Sequence, residues 1–366
     1  MAEVNSGLEG VLAAETTISL VDGTAGRLLY RGYEIGDLAA HGTFDSVTAL
    51  LLDGEWPPAP ERLPAAGLSE PVVAALRSLP ADAAPLDALR TGVSAWGAAG
   101  GVDWPPTAAQ ARELIALAPA IVGGFARLRS GDEPVDPAGS EGLGVAGRLL
   151  HAISGDVPEA SRERALDAYF VCCAEHGLNA STFNARVVTS THSDLASAVC
   201  GAVGALKGRL HGGAPSGVRD QLTQIGDVDH AERWIREALA RGERLMGFGH
   251  RVYRVRDPRA DVLAAAAERL YTRGGDMRLY KLARDVEATA LRLLEEYKPG
   301  RRLQTNVEFY TALVLHGLGL DVALFTPTFA ISRVSGWIAH ALEQRAANRL
   351  IRPRSEYIGP RDRRWR

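Results

Sequence analysis

The sequence predicts a mainly α-helical chain, and three observations predict it. Segment after segment repeats its apolar residues at helical spacing, most clearly Leu279, Leu282, Val286, Ala290, Leu293 and Leu294. Helix-start residues (Thr43, Asn306, Thr328) and helix-stop residues (Gly54, Gly242, Pro299) punctuate those segments. Strand-like alternation occurs at one place, where Ile18 and Leu20 face Leu28 and Tyr30 across Asp22-Gly23-Thr24-Ala25-Gly26. That pattern reads as a small N-terminal β-hairpin.

In chain order, Thr43 caps a helix from Phe44 through Leu52, which Gly54 and Pro57 stop. Prolines crowd 56–71 and 131–137, as surface connections do; between them 72–79, 85–96 and 107–128 carry helical spacing. Residues 167–175 are apolar or small on most faces and predict a buried helix. The next helix, 194–207, holds Ala196, Ala198, Gly201, Ala202, Gly204 and Ala205. Such a sequence forms a helix poorly but lets another backbone come close, which predicts a tight contact between subunits. After His211 the chain becomes more charged, with helices expected at 231–240, 261–271 and 278–297. Asn306 caps a helix through Leu315, and Thr328 caps another reaching about Ala347. The tail, 349–366, is basic and irregular.

Composition bounds the function. With 366 residues, 46% of them hydrophobic, the chain can bury a large core and divide into two lobes. A net charge of -3 leaves no global basic field, which argues against nucleic acid and anionic membrane as partners. Three cysteines, Cys172, Cys173 and Cys200, fall in apolar helical patterns without framework spacing. They predict reduced, buried thiols in a cytoplasmic protein, and no metal set. No apolar run approaches the length of a membrane span, and residues 1–9 lack the features of a secretory leader.

The chemistry concentrates in 246–259. Gly247 and Gly249 permit backbone conformations closed to other residues, His250 titrates near neutral pH, and Arg254, Arg256 and Arg259 can grip carboxylates or phosphates. Alone, such a stretch reads better as a surface loop with a solvated charge run. Two further segments of the same character shift the balance: Leu210-His211-Gly212-Gly213-Ala214-Pro215 and Asn306-Val307-Glu308-Phe309-Tyr310. Two histidines and a carboxylate in Gly-rich turns or at helix starts point to acid–base chemistry on an anionic substrate.

With Glu175-His176-Gly177-Leu178-Asn179-Ala180-Ser181 added, four segments stand in an order and spacing that resembles citrate synthase, in the short bacterial and archaeal type that includes 2-methylcitrate synthases. The resemblance runs from the Asp22-Gly23 hairpin and Tyr30-Arg31-Gly32-Tyr33 to Leu350-Ile351-Arg352-Pro353. It implies a two-domain helical fold, with 1–211 and 319–366 as a large dimerisation domain and 212–318 as a small domain that closes over the site. It implies a homodimer taking oxaloacetate and acetyl-CoA, the latter as co-substrate, with no cofactor. By the same resemblance, His211 meets the thioester carbonyl, His250 polarises and protonates the ketone, and Arg259, Arg333 and His176 hold the oxaloacetate carboxylates. Arg352 matches the arginine that reaches into the partner's site. Gly247, Phe248, Gly249, Lys298, Arg301 and Arg302 are candidates for the coenzyme A phosphates.

Two positions depart from the family pattern. The family's catalytic base is an aspartate in an Asn-Val-Asp context, and here Glu308 stands there. The added methylene displaces the carboxylate by roughly 1 Å, an error that can cost on the order of 100-fold in rate. Pro215-Ser216 replaces the usual Asn-Glu. Three readings follow: a citrate synthase with Glu308 as base, a 2-methylcitrate synthase using propionyl-CoA, or a weakened paralogue that binds coenzyme A or dicarboxylate. In the last, Glu308 only complements a helix dipole. His192, His230, His316 and His340 read as structural or solvated, Trp234 and Trp337 as core or interface. Arg186 reads as either an ion pair or a site residue.

Overall fold

The computed structural model of the chain describes residues 5–100, 104–212, 215–250, 252–274 and 276–365, the side chains of residues 215 and 216 excepted. Gly213 and Ala214 of the His211 turn and Arg251 of the His250 loop lie outside them. Three strands come first: β1 (Ser19–Asp22), β2 (Arg27–Tyr30) and β3 (Tyr33–Glu34). The helices of the first half are α1 (Ile35–His41), α2 (Phe44–Asp53), α3 (Glu70–Arg77), α4 (Pro85–Gly100), α5 (Ala108–Ser130), α6 (Val145–Ser154) and α7 (Ala160–Cys173). Those of the second half are α8 (Ala180–Ser190), α9 (Leu195–Leu206), α10 (Pro215–Ile225), α11 (Val228–Ala240), α12 (Pro258–Gly274), α13 (Met277–Tyr297), α14 (Val307–Gly317) and α15 (Phe325–Ala346).

Local chemistry explains most boundaries. The Thr43 hydroxyl accepts the Ser46 N–H at the start of α2, and Gly54, in the left-handed region, closes it through Leu50 O. Asn306 Oδ1 accepts the Glu308 N–H at the start of α14, as expected. Thr328 does not cap α15. The helix begins three residues earlier, because Asp321 opens a short 3₁₀ turn, Val322–Leu324, that runs straight into it. The expected hairpin gains a third strand, since Arg31 and Gly32, both at positive φ, turn the chain so that Tyr33 pairs with Tyr30. Four helices, α1, α6, α8 and α10, none longer than 11 residues, add to those the sequence predicts.

The core centres on α15, which packs against α2, α4, α5, α7, α8 and α9 and buries Trp337 completely. Together with its leading turn, 322–346 is long and apolar enough to cross a membrane by length and composition, contrary to the sequence reading. Most of that stretch is buried, so its apolar surface serves the core. The small residues of α9 are likewise used within the chain: a Cβ on Gly97 of α4 would stand 2.5 Å from Ala196 Cβ, and one on Gly201 would strike Asn184 of α8. Cys172 and Cys173 are buried; Cys200 is only partly so, its thiol donating to Arg90 O at 3.4 Å.

Candidate active site

The segments before α12 and before α14 are clasped together. Gly249 N–H donates to Gln304 O at 2.7 Å, Asn306 N–H to Gly247 O at 2.9 Å, and Asn306 Nδ2 to Gly249 O at 2.8 Å. Farther along, Asp257 N–H reaches Thr305 O at 3.3 Å and Val307 N–H reaches Asp257 Oδ2 at 3.2 Å. The clasp needs Gly247: its φ is +84° and a Cβ there would meet Phe309 at 2.8 Å. His250 and Glu308 therefore belong to one rigid piece. The β1–β2 turn presses on it from outside, with Arg254 N–H donating to Gly23 O at 2.8 Å.

His250 has a defined tautomer. Its Nδ1 accepts two backbone N–H groups, Val252 at 2.9 Å and Tyr253 at 3.1 Å, so the ring proton sits on Nε2 as a free donor. Burial, reinforced by the Arg259 charge, pushes its pKa down to about 4, which keeps the ring neutral at physiological pH. His176 lies edge-on to it, ring centres 5.4 Å apart, and its Nε2 is 3.2 Å from Tyr253 OH. Burial and the charges of Arg259 and Arg333 hold His176 well below the usual histidine range. The turn carrying His176 is fixed by Tyr30, whose hydroxyl donates to Glu175 O at 2.8 Å.

Two arginines supply buried positive charge. Arg259, 3% exposed, opens α12 and points its Nε and Nη2 at the two oxygens of Asp257, at 3.0 and 2.8 Å. That pairing uses one edge of the guanidinium and leaves the Nη1–Nη2 edge for a second carboxylate. Burial works against the Asp257 charge, and Arg259 more than offsets it, so the carboxyl titrates below its usual range. Arg333, 2% exposed, donates through Nε to Cys173 O at 2.6 Å and lies 4.6 Å above the Phe329 ring. Behind it runs a buried chain: Arg186 pairs with Glu343 at 2.6 Å and donates to His340 Nδ1, whose Nε2 faces Glu175 at 3.2 Å. Of the two readings of Arg186, the structure shows the ion pair.

Glu308, in the first turn of α14, is half-buried. Burial raises its pKa to about 7, against the pull of Arg259 and Arg333. Such a carboxylate is basic enough to take a proton and ionised enough to be present as base. His211 is held by Ser181, whose Oγ lies 2.8 Å from His211 Nε2 and accepts Trp337 Nε1–H at 3.0 Å. The single serine proton has two acceptors at 2.8 Å, Asn179 Oδ1 and His211 Nε2; with it on Nε2, the ring carries its own proton on Nδ1, free to meet an oxyanion. The arrangement brings a neutral histidine donor, a carboxylate titrating near 7 and two buried guanidinium groups within electrostatic reach of one another, with His211 linked through the Arg333 charge.

The comparisons with known proteins bear on that assembly. The family model described as citrate synthase, C-terminal domain, matches residues 7–354. The chain belongs to the citrate synthase family. A citrate synthase of Haloferax volcanii is 42% identical, with 98% of this chain and 97% of the relative covered. A 2-methylcitrate synthase of Mycobacterium tuberculosis is 41% identical, covering 98% and 91%. Among solved structures, the citrate synthase of Pyrobaculum aerophilum superposes with a TM-score of 0.88 at 36% identity, covering 99% of this chain and 94% of that one. The Thermoplasma acidophilum citrate synthase, solved as a ternary complex with carboxymethyl coenzyme A and oxaloacetate, gives 0.88 at 29%, covering 100% and 98%.

Against the pattern expected of a citrate synthase, five of the named residues gather here: His176, His250, Arg259, Glu308 and Arg333, linked through Tyr253, Asp257 and their shared electrostatics. His211 joins through Ser181 and Trp337, and feels the Arg333 charge. Arg352 is exposed in the irregular tail and makes no hydrogen bond or ion pair among the described residues. Of the coenzyme A candidates, Gly249 gives its N–H to Gln304, so that amide is not free for a phosphate. Phe248 packs against Phe309 with the rings tilted and their centres 5.2 Å apart, while Lys298, Arg301 and Arg302 sit at the turn after α13. Sequence reasoning missed Ser181, Tyr253 and Asp257. Asp257 was the most legible, two residues before Arg259 in an Asp-Pro-Arg turn.

Proposed function

We propose that the chain condenses acetyl-CoA with oxaloacetate and hydrolyses the resulting citryl thioester to citrate and coenzyme A. The carrying observation is His250, held neutral with Nε2–H free, beside buried Arg259 and Arg333 and on the same clasp as Glu308. Oxaloacetate is a dianion whose ketone must be polarised by a donor that keeps its proton until the alkoxide forms. Arg259, through its open edge, Arg333 and His176 take the carboxylates. Glu308 removes a proton from the acyl α-carbon while His211 Nδ1–H receives the charge developing on the thioester oxygen. The enol carbon then bonds to the ketone carbon, and the ketone oxygen takes the His250 Nε2 proton. Water finally attacks the thioester carbonyl, and coenzyme A leaves as the thiol.

The 41% identical 2-methylcitrate synthase supports a second reading with propionyl-CoA. The extra methylene of Glu308 occupies space beside the acyl carbon, which favours the shorter acyl group. Thiol release measured with oxaloacetate and either acyl-CoA separates the readings. Faster turnover with acetyl-CoA is expected; a propionyl preference transfers the assignment, and no thiol release with either sinks it.

Our reading extends to assembly. A cytoplasmic homodimer, in which 212–318 closes over the larger remainder, fits the exposed apolar residues at both chain ends: Leu12 at 97%, Ile358 at 94% and Trp365 at 100% exposure. In that dimer Arg352 completes the partner's site, and Lys298, Arg301 and Arg302 face the coenzyme A phosphates. Mixing Arg352→Ala with Arg259→Ala subunits then restores activity, because one of the two sites in the mixed dimer carries neither lesion. No recovery after verified subunit exchange places Arg352 within its own site.

A further inference from the structure

Behind the clasp, on α13, stands a buried carboxylate that none of the roles above uses. Glu287 is 5% exposed and carries three close donors. Its Oε1 accepts Thr305 Oγ1 and Arg256 Nη1, both at 2.7 Å, and its Oε2 accepts Tyr310 OH at 2.5 Å. Arg284 Nη1 adds a fourth, looser partner at 3.6 Å from Oε2 and also donates to Tyr310 OH at 2.9 Å. The positions of these partners give the cluster its meaning. Thr305 lies three residues before Glu308 and next to its capping asparagine, and Tyr310 lies two residues after it. Arg256 comes from the loop that starts at His250 and ends at Arg259, and pairs with Asp261 in the first turn of α12 at 2.6 Å. One carboxylate thus ties both flanks of Glu308 to the far end of the His250 loop.

We propose that Glu287 is a positioning residue for proton abstraction: it fixes where the Glu308 carboxylate stands relative to the His250 loop without touching substrate. The proposal rests on Glu308 being the base. A stability role alone accounts for burial and ion pairing but not for this choice of partners, since a carboxylate that only neutralised Arg256 and Arg284 would not need hydroxyls from both sides of residue 308. The arrangement also suits a glutamate base. Its longer side chain has one more rotatable bond than aspartate, and nothing among the described residues holds its carboxylate directly. The backbone beneath it must then be held more firmly. Arg259 and Arg333, by contrast, are fixed by Asp257 and Cys173, so the carboxylate end does not depend on Glu287 in the same degree.

The test compares Glu287→Gln, Tyr310→Phe and Glu308→Gln with the parent, using acetyl-CoA with an undeuterated or a deuterated methyl group. Glu287→Gln keeps size but loses the charge and one acceptor; Tyr310→Phe removes a single hydroxyl and serves where the first variant does not fold. Displacing the base by a fraction of an ångström to about 1 Å is expected to lower kcat about 10- to 100-fold. The KM for oxaloacetate should stay within about twofold, and the deuterium effect on kcat should rise as proton abstraction becomes rate-limiting. Lower thermal stability with kcat per folded site and isotope effect unchanged overturns the positioning role and leaves a structural ion cluster. A rise in the KM for oxaloacetate matching the fall in kcat/KM overturns it too. If Glu308→Gln is as active as the parent, the base assignment fails instead, which separates the two outcomes.

Discussion

At the carboxylate end of the site both guanidinium groups are almost fully buried and each is gripped by the fold, Arg259 by Asp257 at 2.8 Å and Arg333 by the Cys173 carbonyl at 2.6 Å. At the acyl end Glu308 has no side-chain partner among the described residues, and His211 hangs from Ser181 alone. The difference follows from what each end must do. A buried cation without a counter-charge costs several kcal/mol, so Arg259 is paired with Asp257 and Arg333 is set near the Glu175 charge before substrate arrives. A base must change protonation during turnover, and a carboxylate locked in an ion pair would be too weak to do so. Depriving Glu308 of partners is how its pKa comes to stand near 7.

The largest effect should come from breaking the acyl end. Glu308→Gln keeps shape and removes basicity, so kcat is expected to fall by roughly 100- to 10,000-fold while the KM for oxaloacetate holds. In the parent, the base is expected to act ionised, so kcat/KM should rise as pH climbs through about 7, and His250, already neutral above about 4, adds no limb there. The stability sign is opposite. Folded Glu308 binds its proton more tightly than the unfolded chain does, so this group's contribution is full below about 4.5 and is lost as pH rises to about 7. Glu308→Gln should therefore melt higher than the parent at pH 8, by on the order of 1–3 kcal/mol, and equal it near pH 4. Equal melting at both pH values would contradict the raised pKa.

Breaking the carboxylate end comes next. Arg333→Leu or Arg259→Leu should weaken oxaloacetate binding by about 2–5 kcal/mol, read as the KM for oxaloacetate, with the KM for acetyl-CoA little changed. Arg259→Leu also strands Asp257 without its partner, so it alone should lower the melting temperature at neutral pH. The contrast between the ends is sharpened by Glu308→Asp, which shortens the base to the family's usual residue. In a site shaped around glutamate this is expected to slow turnover by about 10- to 100-fold. Faster turnover would mean that the pocket still suits aspartate. The smallest effect is expected from Tyr30→Phe, which removes a buried hydrogen bond to the turn carrying His176. It should cost about 1–2 kcal/mol of stability in a denaturant titration, with kcat altered only slightly.

The legible parts of the chain were those where function or folding needs a particular residue type. Gly247 and Gly249 announce themselves because side chains rarely accept their backbone angles, Gly247 against Phe309 and Gly249 against Leu303. His250, Arg259 and Arg333 could be carried over from a motif, and α2, α13 and α14 could be read from caps and stripes. Less legible were partnerships between distant segments. Ser181 meets His211 across 30 residues and Trp337 meets Ser181 across 156, and nothing in an Ala-Ser-Thr run declares that a serine will hold a histidine. The start of α15 was misplaced because Thr328 resembles a cap. The decision fell instead to Asp321 and the apolar burial of Phe325.

Asp257 has a consequence for the shape of the product. A guanidinium with one edge occupied cannot turn to meet its ligand; it offers a single remaining edge in a fixed plane. On the proposed reading, a planar α-keto acid gripped by that edge, and by a second arginine held by its own carbonyl partner, is expected to lie with one side of its ketone toward His250 and the acyl carbon and the other against the protein. Carbon–carbon bond formation then occurs on one face only. Citrate made from acetyl-CoA labelled in its methyl group would carry the label in one of its two outwardly identical arms and never in the other. Handedness of that kind is set before the second substrate arrives, by an aspartate that never meets the acyl group.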